Sequence, residues 1–239
     1  MNNKKVLLMI IAGAALIAAG SACTLLQGEH VSNGRKLFSY YCSACHGGKG
    51  KGDGFNAVNL DPQPRDLSDS REKYMAKQKN EDLFKVISLG GKSIEKSARM
   101  PPFGKTLSEH EIWEVVAFIR YLHSYKEETI NFEGGFDKKR PKYKVKRISS
   151  DAFKKTNRRE TLRGKGLYKK LGCSGCHLIG EQGGKVGPAL TRTGVRLNGP
   201  WIYRYLLSPQ RVIKNVKMPN FGLSDKAALR LTHYLLSLK

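Results

Sequence analysis

Negative charge is what this sequence has least of. Its 239 residues carry 20 Asp and Glu against 43 Lys and Arg, a formal net charge of +23 at pH 7. That balance suits nucleic acid, an anionic membrane surface or acidic protein partners. Cysteine is sparse too, at five residues, which divide as two, two and one. No strand–helix–strand context accompanies either cysteine pair, and this excludes a thioredoxin-like redox use. The run Gly47-Gly48-Lys49-Gly50-Lys51-Gly52-Asp53-Gly54 lacks the Gly-Lys-Ser/Thr ending of a phosphate-binding loop, and no strand-like run precedes it. Size is limiting as well. Each half of the chain falls below about 100 residues, small for an independent apolar core.

What is present is a repeated motif. Cys42-Ser43-Ala44-Cys45-His46 returns as Cys173-Ser174-Gly175-Cys176-His177. Cys-x-x-Cys-His is the attachment pattern of c-type haem. The thiols are spaced to take both porphyrin vinyl groups as thioethers, and the adjacent His is delivered to one axial face of the iron. A second axial ligand is required, and a Met-Pro follows each motif, at Met100-Pro101-Pro102-Phe103 and Met218-Pro219-Asn220-Phe221. His/Met ligation is the electron-transfer pattern, because the soft thioether favours ferrous iron. Met75 is a rival in the first half, but it lacks the following Pro that holds a backbone extended. Zinc is the competing use of paired cysteines. It would leave both His and both Met-Pro segments unexplained.

The fifth cysteine has an informative position. Lys4-Lys5, the apolar stretch Val6 to Ala19 and the small residues Gly20-Ser21-Ala22 lead directly into Cys23. Residues 1–23 read as an export signal. Cys23 resembles the lipidated cysteine of bacterial lipoproteins, although Gly20 stands where an aliphatic residue is usual. Cleavage after Gly20-x-Ala22, or retention of Val6 to Ala22 as a short anchor, is the alternative processing. All three place the folded part outside the cytoplasm, on the periplasmic side of a bacterial cytoplasmic membrane; lipidation or a retained anchor would add membrane association through the N-terminus, whereas cleavage would release a soluble protein. Nucleic acid is then not an expected partner.

Residues 24–127 are expected to form a first domain and 161–239 a second, with a basic linker over 128–160. Residues 24–31 read as a tether. Each domain opens with a Gly four residues before an aromatic, Gly34/Phe38 and Gly164/Tyr168, at helical spacing and just ahead of the cysteines. Leu107-Ser108-x-x-Glu111 is a capping box, and Ile112, Val115, Val116, Ile119 and Leu122 then recur on one helical face. Leu223-Ser224-Asp225 with Ala228, Leu231, Leu235 and Leu238 is the counterpart, and Tyr121 and Tyr234 occupy similar places near the two ends. The chain therefore reads as an internal duplication. From Lys138 to Lys165 there are 13 Lys/Arg against two acids, +11 of the formal +23, which reads as a solvated linker able to double as a docking strip. His30, His110, His123 and His233 read as exposed or helix-surface residues.

On these motifs the chain resembles the class I cytochromes c, as a tandem di-haem member. The resemblance runs from about Gly34 to Leu238, the linker excepted. It implies an all-α fold of two cytochrome c-like domains, each wrapped around one covalently bound haem c and preceded by the signal segment. Gly34/Phe38 would meet the Trp113–Leu122 helix, and Gly164/Tyr168 the Ala228–Leu238 helix. Pro188 would offer its carbonyl to His177, as a metal-bound His requires, and Pro62 would do so for His46. Arg65 and Arg192 would be propionate partners, and Trp201 and Tyr205 would wall the second site.

The expected function is one-electron transfer in a respiratory chain rather than bond-making catalysis. The expected partners are acidic redox proteins or a respiratory membrane complex. A fixed subunit of a quinol- or substrate-oxidising complex is the alternative. A di-haem peroxidase is a further one, disfavoured because both haems have a Met-Pro candidate.

Overall fold

The computed structural model describes residues 28–69, 73–123, 130–143, 147–154 and 157–239. The signal segment, Cys23 included, lies outside the described residues. Among those residues the chain is helical, with one isolated bridge, Ile179 to Gln182, as its β-pairing. The first half comprises α1 (28–41), α2 (Asn80–Leu89) and α3 (Glu109–His123). The second comprises α4 (Arg158–Lys170), α5 (Gly199–Leu207) and α6 (Asp225–Leu236). No helix of the described residues is long and apolar enough to cross a membrane.

Two helix crossings organise the halves. An ideal Cβ on Gly34 would lie 1.9 Å from the Glu114 carbonyl oxygen, and one on Gly164 would lie 2.0 Å from that of Arg230. Only a residue without a side chain lets the backbones approach so closely. One turn further on, Phe38 meets Phe118 edge-on at 5.2 Å between centroids, and Tyr168 meets Tyr234 at 5.5 Å. Phe118 is thus the counterpart of Tyr234. The sequence pairs Tyr121 with Tyr234 instead, but the caps set a different register, since Ser108 and Ser224 stand at equivalent N-termini. Tyr121 is left 58% exposed. The capping box forms as a reciprocal pair, Ser108 N–H to Glu111 Oε2 at 2.9 Å and Glu111 N–H to Ser108 Oγ at 3.2 Å.

Each crossing also carries a polar clip on its outer side. In the first, buried Glu114 accepts from Asn33 Nδ2 at 3.1 Å and faces His30 Nδ1 at 3.3 Å, with His110 Nδ1 3.7 Å away. In the second the signs are exchanged. Glu160 on the incoming helix meets Arg230 Nε at 2.8 Å and Arg163 at 2.8 Å.

Several expectations need correction. Helix α1 already includes 28–31, which read as tether. Helix α4 starts at Arg158, inside the expected linker, because the Asn157 side chain caps it through the Glu160 N–H. His30 and His110 serve the Glu114 clip, and His123 and His233 are buried, at 0% and 8% exposure. Nor is the linker simply solvated. Phe132 stacks on His30 at 3.6 Å, and Phe136 stacks on Trp113 at 5.2 Å. Arg140 grips Glu111 with bonds of 2.6–2.9 Å, while Ile148 and Phe153 pack onto the second core. The sequence window was dominated by its cations, and the aromatic residues between them direct the strap onto the helices.

Two stability measurements test this architecture. Gly164→Ala should cost on the order of 1–3 kcal/mol by overpacking. Gly166→Ala, exposed in the same helix with nothing within 4 Å, should instead stabilise, by about 0.5–1 kcal/mol. Denaturant titration of the two variants reads the opposite signs. The Glu160 clip adds a pH dependence. The Arg230 hydrogen bond holds the carboxyl below its usual range, against an opposing contribution from burial and with further help from Arg163. A depressed carboxyl stabilises above its unfolded value of about 4.3 and loses that contribution as pH falls through the folded value. The wild type should therefore melt above Glu160→Gln at pH 7, and the gap should close as pH falls below about 4.

Candidate haem sites

Helix α1 feeds the first motif directly into a tight turn. Cys42 N–H donates to Phe38 O at 2.8 Å, and the Cys45 and His46 N–H groups return to Cys42 O at 3.1 and 2.9 Å. The second turn repeats this, with the Cys176 and His177 N–H groups to Cys173 O at 3.2 and 3.0 Å. Helical folding of Cys-x-x-Cys-His places the two thiols together and the imidazole one step beyond. Because the aromatic at each crossing lies four or five residues ahead of the first cysteine, the crossing aims the turn.

In the first domain the turn opens onto an apolar cavity of about 320 Å³. Cys42, Cys45, His46 and Met100 all line it, together with Phe38, Met75, Leu83, Ile87, Phe103 and Ile119. Burial pushes the Cys42 thiol up to about 12, Cys173 to about 12 and Cys176 to about 11. Burial also lowers both imidazoles, His46 and His177, against a smaller opposing effect of their carbonyl partners, and so favours the neutral form that ligates a metal.

Those carbonyl partners differ between the domains. His177 Nδ1 faces Pro188 O at 2.9 Å. Gly187 allows it, since a Cβ there would lie 2.4 Å from the imidazole Cε1. In the first domain His46 Nδ1 faces Arg65 O at 3.3 Å, and this corrects the expectation for Pro62. Leu67 N–H is tied to Gly50 O at 2.6 Å, which draws Arg65, rather than the earlier prolines, over the ring. Pro62 remains in the cavity wall. The Arg65 guanidinium lies over Tyr74 at 4.0 Å, so this residue contributes through backbone and side chain alike. Arg192 is exposed ahead of the short helix Thr193–Arg196.

Each methionine is held on a pinned loop. Gly91 N–H donates to Met100 O at 3.0 Å, and Phe103 N–H to Ile87 O at 2.9 Å, fastening the first loop to the end of α2. Gln210 Nε2 donates to Met218 O at 2.8 Å. Met218 packs on the second core beside Cys173, Leu190 and Trp201. The Trp201 and Tyr205 rings stack nearly parallel on α5, 4.9 Å apart. Met75 shares the first cavity with Met100, yet it is a core residue at 1% exposure. Asn56 escaped the sequence reading altogether. It lies just beyond the glycine run, where no local pattern marks it.

A Cys-x-x-Cys-His turn, a pinned methionine loop and an apolar core on a helix crossing, each present twice, are the parts of a c-type cytochrome domain. Residues 29–119 match the family model described as cytochrome c oxidase, cbb3-type, subunit III, and residues 161–239 match that of cytochrome c. The two matches take in the greater part of the chain, and it belongs to the class I cytochromes c as a tandem, haem c-binding member. No curated protein matches the chain. Among solved structures, a chain of the reducing HAO-like protein complex of Kuenenia stuttgartiensis aligns at 22% identity and a TM-score of 0.32, covering 86% of this chain and 95% of that one. A likeness that loose carries no structural argument.

The methionines can be separated by substitution. Met100→Ala and Met218→Ala should each remove about half of the near-infrared Met-to-iron absorbance of the ferric protein and lower one midpoint potential. Met75→Leu should leave the band unchanged. Loss of the band in the Met75 variant would reassign the first ligand.

Proposed function

We propose that this chain is an electron-transfer protein carrying two covalent haems c, each with His/Met ligation, and working in a respiratory chain on the periplasmic side of a bacterial cytoplasmic membrane. The observation that carries the reading is the duplicated arrangement of a half-buried, neutral-favouring imidazole, a pair of half-buried thiols and a methionine loop beside each core. The haem iron supplies the one-electron couple. The chain's residues would hold it: His46 and His177 with Met100 and Met218 as iron ligands, and Cys42, Cys45, Cys173 and Cys176 as thioether attachment points. The Arg65 and Pro188 carbonyls fix the two imidazoles, and the apolar walls exclude water. None of these roles needs an acid–base or nucleophilic residue, and that favours a carrier over an enzyme. A peroxidase would need an open sixth position, whereas a methionine loop lies beside each core and could supply that ligand.

Membrane association through the N-terminus, by lipidation of Cys23 or by a retained anchor, rests on the signal-like segment. A free shuttle and a fixed subunit of a membrane complex differ in partner. The match of 29–119 to a model described as an oxidase subunit favours the second for the first domain. Purification from native membranes with partners retained, followed by spectroscopic redox titration, separates them. Stoichiometric co-purification with a complex supports the subunit and removes the free shuttle.

The basic surface sets an ionic-strength dependence. Surface charges are screened over about 10 Å at 0.1 M salt. Electron transfer to an acidic partner should therefore slow several-fold as salt rises from about 10 to 200 mM. Stopped-flow rates that are flat across that range would remove electrostatic steering.

A further inference from the structure

Both haem-attachment turns converge on one buried side chain. Asn56 follows the glycine run of the first domain and is fully enclosed, at 0% exposure. Its Nδ2 donates to Gly175 O, inside the second Cys-x-x-Cys-His turn, at 2.9 Å, and lies 3.5 Å from Cys45 Sγ in the first. Its Oδ1 accepts from Lys185 N–H of the second domain at 2.9 Å. Its own N–H donates to Ala44 O at 2.9 Å, between the cysteines of the first turn. Merely closing the glycine loop would need only that last bond and the longer 3.4 Å contact from Asn59. Instead the strongest bonds of the amide reach across to the other domain. A buried amide satisfied on both ends specifies a unique geometry, because leaving either end buried and unpaired is unfavourable.

The surrounding backbone is packed to match. A Cβ on Gly184 would lie 2.1 Å from Gly175 O and 2.9 Å from Asn56 Oδ1. One on Gly172 would lie 2.0 Å from Ala98 O, and one on Gly175 3.2 Å from Arg99 O. Ala98 and Arg99 immediately precede Met100, so the second attachment turn rests against the first methionine loop. The reverse brace exists too. Buried Asn220, two residues after Met218, donates its N–H to Thr106 Oγ1 of the first domain at 2.8 Å. Cys176 and Pro219 reach the wall of the first cavity.

We propose that Asn56 is a positioning residue that clamps the two haem-attachment turns together, making haem spacing and orientation a property of this interface and the two domains one working body. The inference rests on the two-haem reading. It says that the spacing is built in by this interface between the folded domains.

The test uses the full-length holoprotein. Asn56→Ala should keep both haems on a denaturing haem-stained gel and keep the Met-to-iron band. The magnetic coupling between the two ferric haems, read by electron paramagnetic resonance, should become weaker and heterogeneous. A single thermal unfolding transition should split into two. A second measurement needs no variant: the Lys185 amide of the wild type should exchange with solvent as slowly as the amides of α3 and α6. Unchanged coupling in a stained Asn56→Ala protein, or a Lys185 amide exchanging as fast as an open loop, would overturn the clamp. Absence of covalent haem from the wild type would instead overturn the two-haem reading, so the two failures are distinguishable.

Discussion

The structure depends on two places where helix backbones touch. At Gly34 and Gly164 the incoming helix lies against a carbonyl of the terminal helix with no room for a methyl group. Everything that positions a site follows from that contact. It puts Phe38 against Phe118 and Tyr168 against Tyr234, and those aromatics fix how far the helix runs before the cysteine turn begins. A loosely packed crossing would let the turn rotate, and thiols and imidazole would no longer face one cavity. The cost of such closeness is backbone freedom in the unfolded chain. What offsets it is the apolar side-chain core that packs around each crossing.

Scarcity of acids gives the few that exist specific work. Glu111 caps α3 and receives the Arg140 fork from the strap. Burial alone would raise its carboxyl, but Arg140 and the Ser108 bonds outweigh this and hold it low. Glu114 closes one crossing and Glu160 the other, with donors on opposite partners. Three carboxylates thus tie helix to helix and strap to helix, leaving most cations without an intramolecular acid to neutralise them. The basic exterior is in this sense a residue of the internal bookkeeping, and it is also the surface that a partner meets.

How much was legible follows the range of the interactions. Cys42 to His46, Cys173 to His177 and the Met-Pro segments are contiguous, so their chemistry could be read directly. Gly34 and Gly164 could be read because the duplication shows the same residue at the same offset twice. The Ser108–Glu111 box closes within four residues. Most of the failures are non-local. Choosing between the Pro62 and Arg65 carbonyls needed the Leu67 to Gly50 bond, which sets where the loop returns. The histidines at 123 and 233 read as surface residues, since their burial depends on what packs against a helix face. The strap read as solvated because its charge was counted and its aromatics were not given a destination. Asn56 was invisible for the same reason: its partners lie 119 and 129 positions along the chain.

That last distance changes what the duplication means. Two copies of a domain joined by a flexible strap would titrate and unfold as separate bodies, and each methionine loop would be held by its own domain. Here the first methionine loop is backed by Gly172 and Gly175, and the second by Thr106. Loosening one domain would therefore remove support from the methionine loop of the other. The strap packs on both halves, while the contacts that brace the motif turns and methionine loops lie between the folded surfaces themselves. Strap and interface then act at different levels: the strap brings the halves together, and the buried amide and close-packed glycines decide how they sit. A repeat that evolves such shared contacts has stopped being two copies of one carrier.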